Sequence, residues 1–242
     1  MKCYMHNQVR MMTEEQPVIA RMTALVNHWE AARDRRAIFL GCYRLMTSNM
    51  LDAIDAGRFQ DHVWVSNLLH RFADYYFDAL KLYDQQRPDT PVVWQLAFDA
   101  TRDEDVTTLQ HLLLGVNAHI NFDLVFTLVD QLAPEWAAST AEQRERRHAD
   151  HTLVNRIIGE TVDAVQDQVI DRHSPWYDFV DKLLGPIDEW LTSQLISRWR
   201  EEVWDNAVRY LEAATPEERD ALRQRIEEQA VRLGSDMLKI RS

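Results

Sequence analysis

Three histidines in this chain stand four residues before a carboxylate or carboxamide. His119 precedes Asp123, His70 precedes Asp74, and His151, with Asp150 beside it, precedes Asn155. On a helix, positions four apart are neighbours on one face. A histidine and a carboxylate so placed can share a metal ion. Alternatively, the carboxylate can orient the imidazole and raise its basicity for proton transfer. If the three helices converge, His119, Asp123, His70, Asp74 and His151 become candidate ligands for zinc, iron or manganese, as in metal sites built inside helical bundles. The spacing by itself is a weak signal, because so acidic a chain with 9 His produces such pairs nearly as often by chance.

The surroundings of His119 and Asp123 carry more information. The stretch "HLLLGVNAHINFDLVF" is apolar at most positions yet holds His111, Asn117, His119, Asn121 and Asp123. From Val106 to Val129, Asp123 is the only acid and there is no Lys, Arg or Glu. A helix facing water would carry several charges on its outer side. A buried central helix near 106–132 is therefore expected. Gly115 in its interior costs about 1 kcal/mol relative to Ala, so something is expected to occupy the space a side chain would fill, either another helix or a ligand.

Buried polar groups cost free energy unless they are paired, and two readings of the motif follow. In one, His119 ligates a metal or acts as base, Asp123 co-ligates or orients it, and Asn117 or Asn121 positions a substrate, with His111 alongside. In the other, the same residues form a satisfied network that fixes helix packing.

The elements expected to position these residues are all helices, about seven to nine of them in one bundle-like all-α domain. A loose tail covers 1–14 and the domain covers 15–242. Only 6 Gly and 7 Pro leave little material for turns, and no alternating strand pattern of useful length occurs. Helices are expected over 13–33, from an Asp34 cap to Gly57, and over 61–86. Another runs from a Thr90 cap with Pro91 at its first position, and the central helix follows. Pro134 is expected to break the chain. The next helix is expected from about 148 to 171, a further start at Ser174 and Pro175, and a Gly-Pro break at 185–186. "TPEE", Thr215 to Glu218, matches a capping box for the last helix, which turns Leu222, Ile226, Leu233 and Met237 to one side.

Composition excludes several function classes. A net charge of -12 argues against binding nucleic-acid backbones. The cluster "RERRH" at 144–148 lies among acids and reads as a solvated helix face. No run of about 18 consecutive apolar residues is present, so no membrane span is expected. Cys3 and Cys42 are the only cysteines, and the first residues lack a signal-like apolar run, which suits a cytoplasmic protein. Cys42 reads as a small core residue. Phosphate-binding glycine loops, nucleophile elbows and C-x-x-C pairs are absent. Eight Trp, seven Tyr and eight Phe could line an apolar pocket, although most are expected in the core. Arg198 is expected in an ion pair, with Asp163 and Asp188 among its candidate mates.

The segment "QHLLLGVNAHINFDL" at 110–124 resembles the signature H-L-L-L-G-x-N-A-H-I-N-x-D-L of a family of uncharacterised bacterial proteins, over roughly residues 34–210. "HRFADYYFDAL" and "VVWQLAFDA" are similar to further segments of that family. The resemblance implies a helical domain with this motif at its centre, and it supplies no activity. More distantly, His70/Asp74 and His119/Asp123 resemble the H-x3-D pairs of zinc-dependent phospholipases C and related nucleases. Those enzymes hold a zinc cluster. The chain departs from the pattern in lacking a third pair that ends in Glu and an N-terminal Trp ligand, so the likeness implies a one- or two-metal site rather than a trinuclear one.

Two functions are thus expected as alternatives. One is metal-assisted or acid–base hydrolysis of a small substrate at His119 and Asp123. The other is a non-catalytic helical protein that binds an apolar small molecule or a protein partner. Oligomeric state is left open.

Overall fold

The computed structural model describes residues 18–167 and 189–239, with side chains at 18–160 and 195–239. Every regular element among these residues is helical, in agreement with the all-α expectation. Helix α1 covers 18–31, α2 Arg36–Asp55, α3 His62–Asp84, α4 Val92–Ala100 and α5 Thr108–Ala118. A π-helical turn, His119–Asp123, joins α5 to α6, Leu124–Trp136. Helices α7 (Ala141–Asp167), α8 (Glu189–Glu212) and α9 (Pro216–Lys239) complete the order. The expected tail at 1–14, Cys3, the Ser174–Pro175 start, the 185–186 break and Asp188 lie outside the described residues.

The rod formed by α5, the π turn and α6 is the middle of the fold. Helices α2, α3, α4, α8 and α9 all pack on it. Its lack of charge is explained by that enclosure. By length and composition Thr108–Trp136 could cross a membrane, but 78% of its most apolar window is buried among the other helices. It is a core helix, and no other described helix passes that test of length and apolarity.

Local chemistry sets the ends of the rod's neighbours. Asp61 caps α3 by accepting the Trp64 N–H at 3.0 Å. A full capping box opens α5, with Thr107 and Gln110 each accepting the other's backbone N–H. The expected box at α9 is present, with the Glu218 N–H 3.2 Å from Thr215 Oγ1 and the Thr215 N–H 3.4 Å from Glu218 Oε2. Gly57 closes α2 at φ +68°, where the Arg58 N–H reaches back to the Ala53 carbonyl.

Three boundaries differ from expectation. The Thr90 hydroxyl does not cap α4 but donates to the Arg87 carbonyl, and Pro91 lies just before the first helical residue. Pro134 sits inside the last turn of α6, which runs on to Trp136. Helix α7 begins at Ala141, not near 148, because Thr140 and Gln143 cap it reciprocally. "RERRH" is consequently more than a solvated face. Arg147 pairs with Asp61 at 2.6 Å and Glu135 at 2.7 Å, and Arg144 lies over the Trp136 ring.

Candidate functional site

The π turn forms the site's floor. The Leu124 N–H bonds to the His119 carbonyl five residues back, so the helix widens there by one residue. His119 Nδ1 and Asp123 Oδ2 meet at 3.0 Å with both side chains buried, as the shared face of the two residues led us to expect. The same Oδ2 accepts the Trp94 indole N–H at 2.9 Å. The Thr127 hydroxyl bonds to the Asp123 carbonyl at 2.8 Å.

Aromatic rings hold the imidazole in place. Phe72 stacks on it with centroids 3.5 Å apart and planes 7° from parallel, and Tyr43 meets it edge-on at 4.3 Å. Burial pushes the His119 pKa well below its ordinary value and the Asp123 pKa well above its own, the latter against the opposing effects of the Trp94 hydrogen bond and the Arg223 charge. The pair is thereby driven toward zero net charge; Nδ1 is engaged with Asp123, which leaves the other ring nitrogen, Nε2. That Nε2 is buried and has no hydrogen-bond partner among the described residues.

His119 stands at the wall of a cavity of about 160 Å³ between α2, α3, the central rod, α7 and α8. Its lining is almost wholly apolar, with Met46, Met50, Leu68, Phe72, Ile158 and Ile196 prominent. Cys42 also lines it, its thiol pushed up to about 11 by burial. Arg200, from α8, is the cation on this wall and is 3% exposed. One terminal nitrogen of Arg200 donates to the His151 carbonyl at 3.0 Å and lies 3.3 Å from His151 Nδ1. Its Nε is buried with no partner, and no carboxylate among the described residues is in ion-pair contact with it. Burial lowers the Arg200 pKa to about 10, so it stays charged at neutral pH.

These contacts also fix His151, which is 0% exposed. Its Nε2–H donates to the Arg200 carbonyl at 3.0 Å, leaving Nδ1 as the acceptor toward the guanidinium. Burial and then the Arg200 charge hold its pKa well below the ordinary value. A histidine with a lowered folded pKa contributes no stability difference while both states are neutral. As pH falls below about 6.5 the unfolded chain takes up a proton that the folded chain refuses, and stability drops by about 1.4 kcal/mol per pH unit per histidine. His151→Gln, which can both donate and accept, is expected to make the slope between pH 6 and 5 shallower by about that amount. Urea midpoints at several pH values check this, and subtracting the two profiles cancels the opposite contribution of Asp123. Parallel profiles would mean that His151 does not titrate with unfolding.

The other expected site residues do not join this constellation. His70 Nδ1 bonds to the Ser66 carbonyl at 2.8 Å within its own helix, while Asp74 is exposed. Asn155 Oδ1 has no hydrogen-bond partner among the described residues, and the His151 nitrogens are committed to Arg200. Asp150 instead accepts the backbone N–H groups of Gln60 and Asp61 at 2.8 and 2.9 Å. The expected convergence of three pairs on one metal is therefore not built. Among the described residues no three His, Cys, Asp or Glu side chains gather where they could hold a metal ion.

Asn117 and Asn121 bond to each other and to α9, apart from the His119 cavity. Asn117 donates to the Ala230 carbonyl of α9 at 2.8 Å and accepts from Asn121 at 2.9 Å. His111 is buried near the start of α5, away from the cavity lining, with the Val106 backbone as its polar neighbour. Its pKa is lowered by burial and then by the Arg35 charge. Arg198 is exposed and pairs with Glu202 at 3.1 Å, one turn along its own helix.

Sequence reasoning missed Arg200. A signal was there: it follows Ile196 by four residues and precedes Val203 by three and Ala207 by seven, so an arginine occupies the apolar register of α8. No curated protein and no solved structure matches the chain. The model of a family of unknown function, DUF5995, matches residues 16–240, wider than the span implied by the central motif, and the chain belongs to that family.

Proposed function

We propose that this protein binds an apolar small molecule in the cavity beneath α2 and α3. The observation that carries the reading is the pairing of an apolar, roomy wall with buried polar atoms that lack a partner among the described residues, His119 Nε2 and Arg200 Nε among them. Small-molecule sites have this makeup, an apolar lining with a few placed polar groups that fix orientation. At about 160 Å³ the space matches the apolar cavities of about 150 Å³ that take up benzene.

Thermal unfolding with benzene or octan-1-ol tests this. A ligand that binds only the folded state raises stability by about 2.7 kcal/mol at a hundredfold excess over its dissociation constant. A rise in Tm that disappears in Leu68→Trp, a cavity-filling change, is expected. No shift with either probe would remove the binding reading.

One observation favours acid–base chemistry as a second reading. His119 has Nδ1 held by Asp123, the arrangement that orients an imidazole for proton transfer. In that reading His119 exchanges protons with the bound molecule through Nε2. Turnover of a bound ester that is lost in His119→Gln, with binding retained, supports it; binding without turnover leaves the first reading alone.

A further inference from the structure

We infer that the ligand of this cavity carries a carboxylate and that Arg200 receives it. The inference rests on the binding reading above and names the chemical class of the ligand. A guanidinium taken out of water is costly unless a counter-charge and hydrogen bonds replace the lost hydration. The acids nearest in sequence make their contacts elsewhere, and Glu201 acts on Arg200 only through its charge, without touching it. Glu201 holds His148 at 2.9 Å and Thr152 at 3.2 Å, and Glu202 holds Arg198.

The contacts Arg200 does make are to neutral acceptors, the His151 carbonyl and Nδ1, and these orient the guanidinium without neutralising it. Its Nε–H is left over beside the terminal nitrogen that His151 holds, a charged donor for which a carboxylate oxygen is the strong acceptor. His119 Nε2 is a second unpartnered nitrogen on the same wall. By comparison with benzene in about 150 Å³, the space suits a tail of about six to eight carbons or one aromatic ring. The fit is a small amphiphile with one anionic end.

Calorimetric titration of the full chain with octanoate and with octan-1-ol at pH 7.5 tests this. The two probes share a tail and differ in charge. A charge-assisted hydrogen bond is expected to make octanoate bind about tenfold to a hundredfold more tightly. Arg200→Met is expected to bring octanoate down to the affinity of the alcohol, while Arg200→Lys keeps part of the preference. Should Arg200→Met fail to fold, the wild-type comparison and the lysine variant decide. Equal binding of acid and alcohol would overturn the carboxylate inference and leave the apolar pocket standing. A preference that survives Arg200→Met would overturn the assignment to Arg200. Binding of neither probe would overturn the cavity reading and this inference with it.

Discussion

Asp123→Ala is expected to lower the free energy of unfolding by about 3–5 kcal/mol. Asp123 is 1% exposed, and its Oδ2 serves both the Trp94 indole N–H and His119 Nδ1. Removing it leaves two buried polar groups with no water to turn to. Each unsatisfied group costs about 1–3 kcal/mol, and the small void adds to that. Since whole domains are stable by only about 5–15 kcal/mol, the loss is a large share.

Asp123→Asn is the informative companion. It keeps the shape and one carbonyl oxygen, and burial already drives the native pair toward neutrality, so a cost of about 1–2 kcal/mol is expected. Urea unfolding of both variants, with the slope unchanged and the midpoint shifted, checks the difference. An alanine variant within 1 kcal/mol of wild type, by the same measure, would show that neither Trp94 nor His119 depends on this carboxyl.

Gly115→Ala is expected to destabilise by about 3 kcal/mol, although alanine is the better helix former by about 1 kcal/mol. The space at Gly115 is filled by Phe39 from α2. A Cβ at 115 would lie 2.8 Å from the Phe39 Cβ and 2.5 Å from its ring Cδ2. The ring has little room to retreat, since it touches Tyr43, Tyr76, Trp94 and His119. Overpacking here therefore presses α2 away from the central rod and disturbs the aromatic box around His119.

A double-mutant cycle with Phe39→Ala isolates this cause. In that background the glycine substitution is expected to become neutral or slightly stabilising, a coupling of at least about 2 kcal/mol. An equal cost in both backgrounds would place the clash elsewhere. Of the two occupants the sequence left open for this gap, helix or ligand, the structure places a helix side chain there.

The sequence by itself determined the class and the centre of this protein. Twenty-four residues with a single acid cannot face water along any side, so the rod through Asp123 had to be buried, and it is. The caps at Asp61 and at Thr215 with Glu218, and the left-handed stop at Gly57, are local chemistry that a few neighbouring residues settle among themselves. The contact between His119 and Asp123 belongs to the same order, since both partners lie on one turn.

Tertiary structure decided everything that needed a partner from another helix. The π turn is not written in a 3.6-residue period: it appears where Trp94, Phe72 and Tyr43 close around His119 and Asp123. His70 and His151 carry the same i,i+4 pattern as His119, yet the former bonds to its own helix and the latter to Arg200. Spacing places side chains on a face, but only packing says what that face meets. Arg200 shows this most clearly. Its position among Ile196, Val203 and Ala207 puts an arginine on an apolar face, and only the assembled helices show that the face borders a cavity and that no carboxylate among the described residues is in ion-pair contact with it.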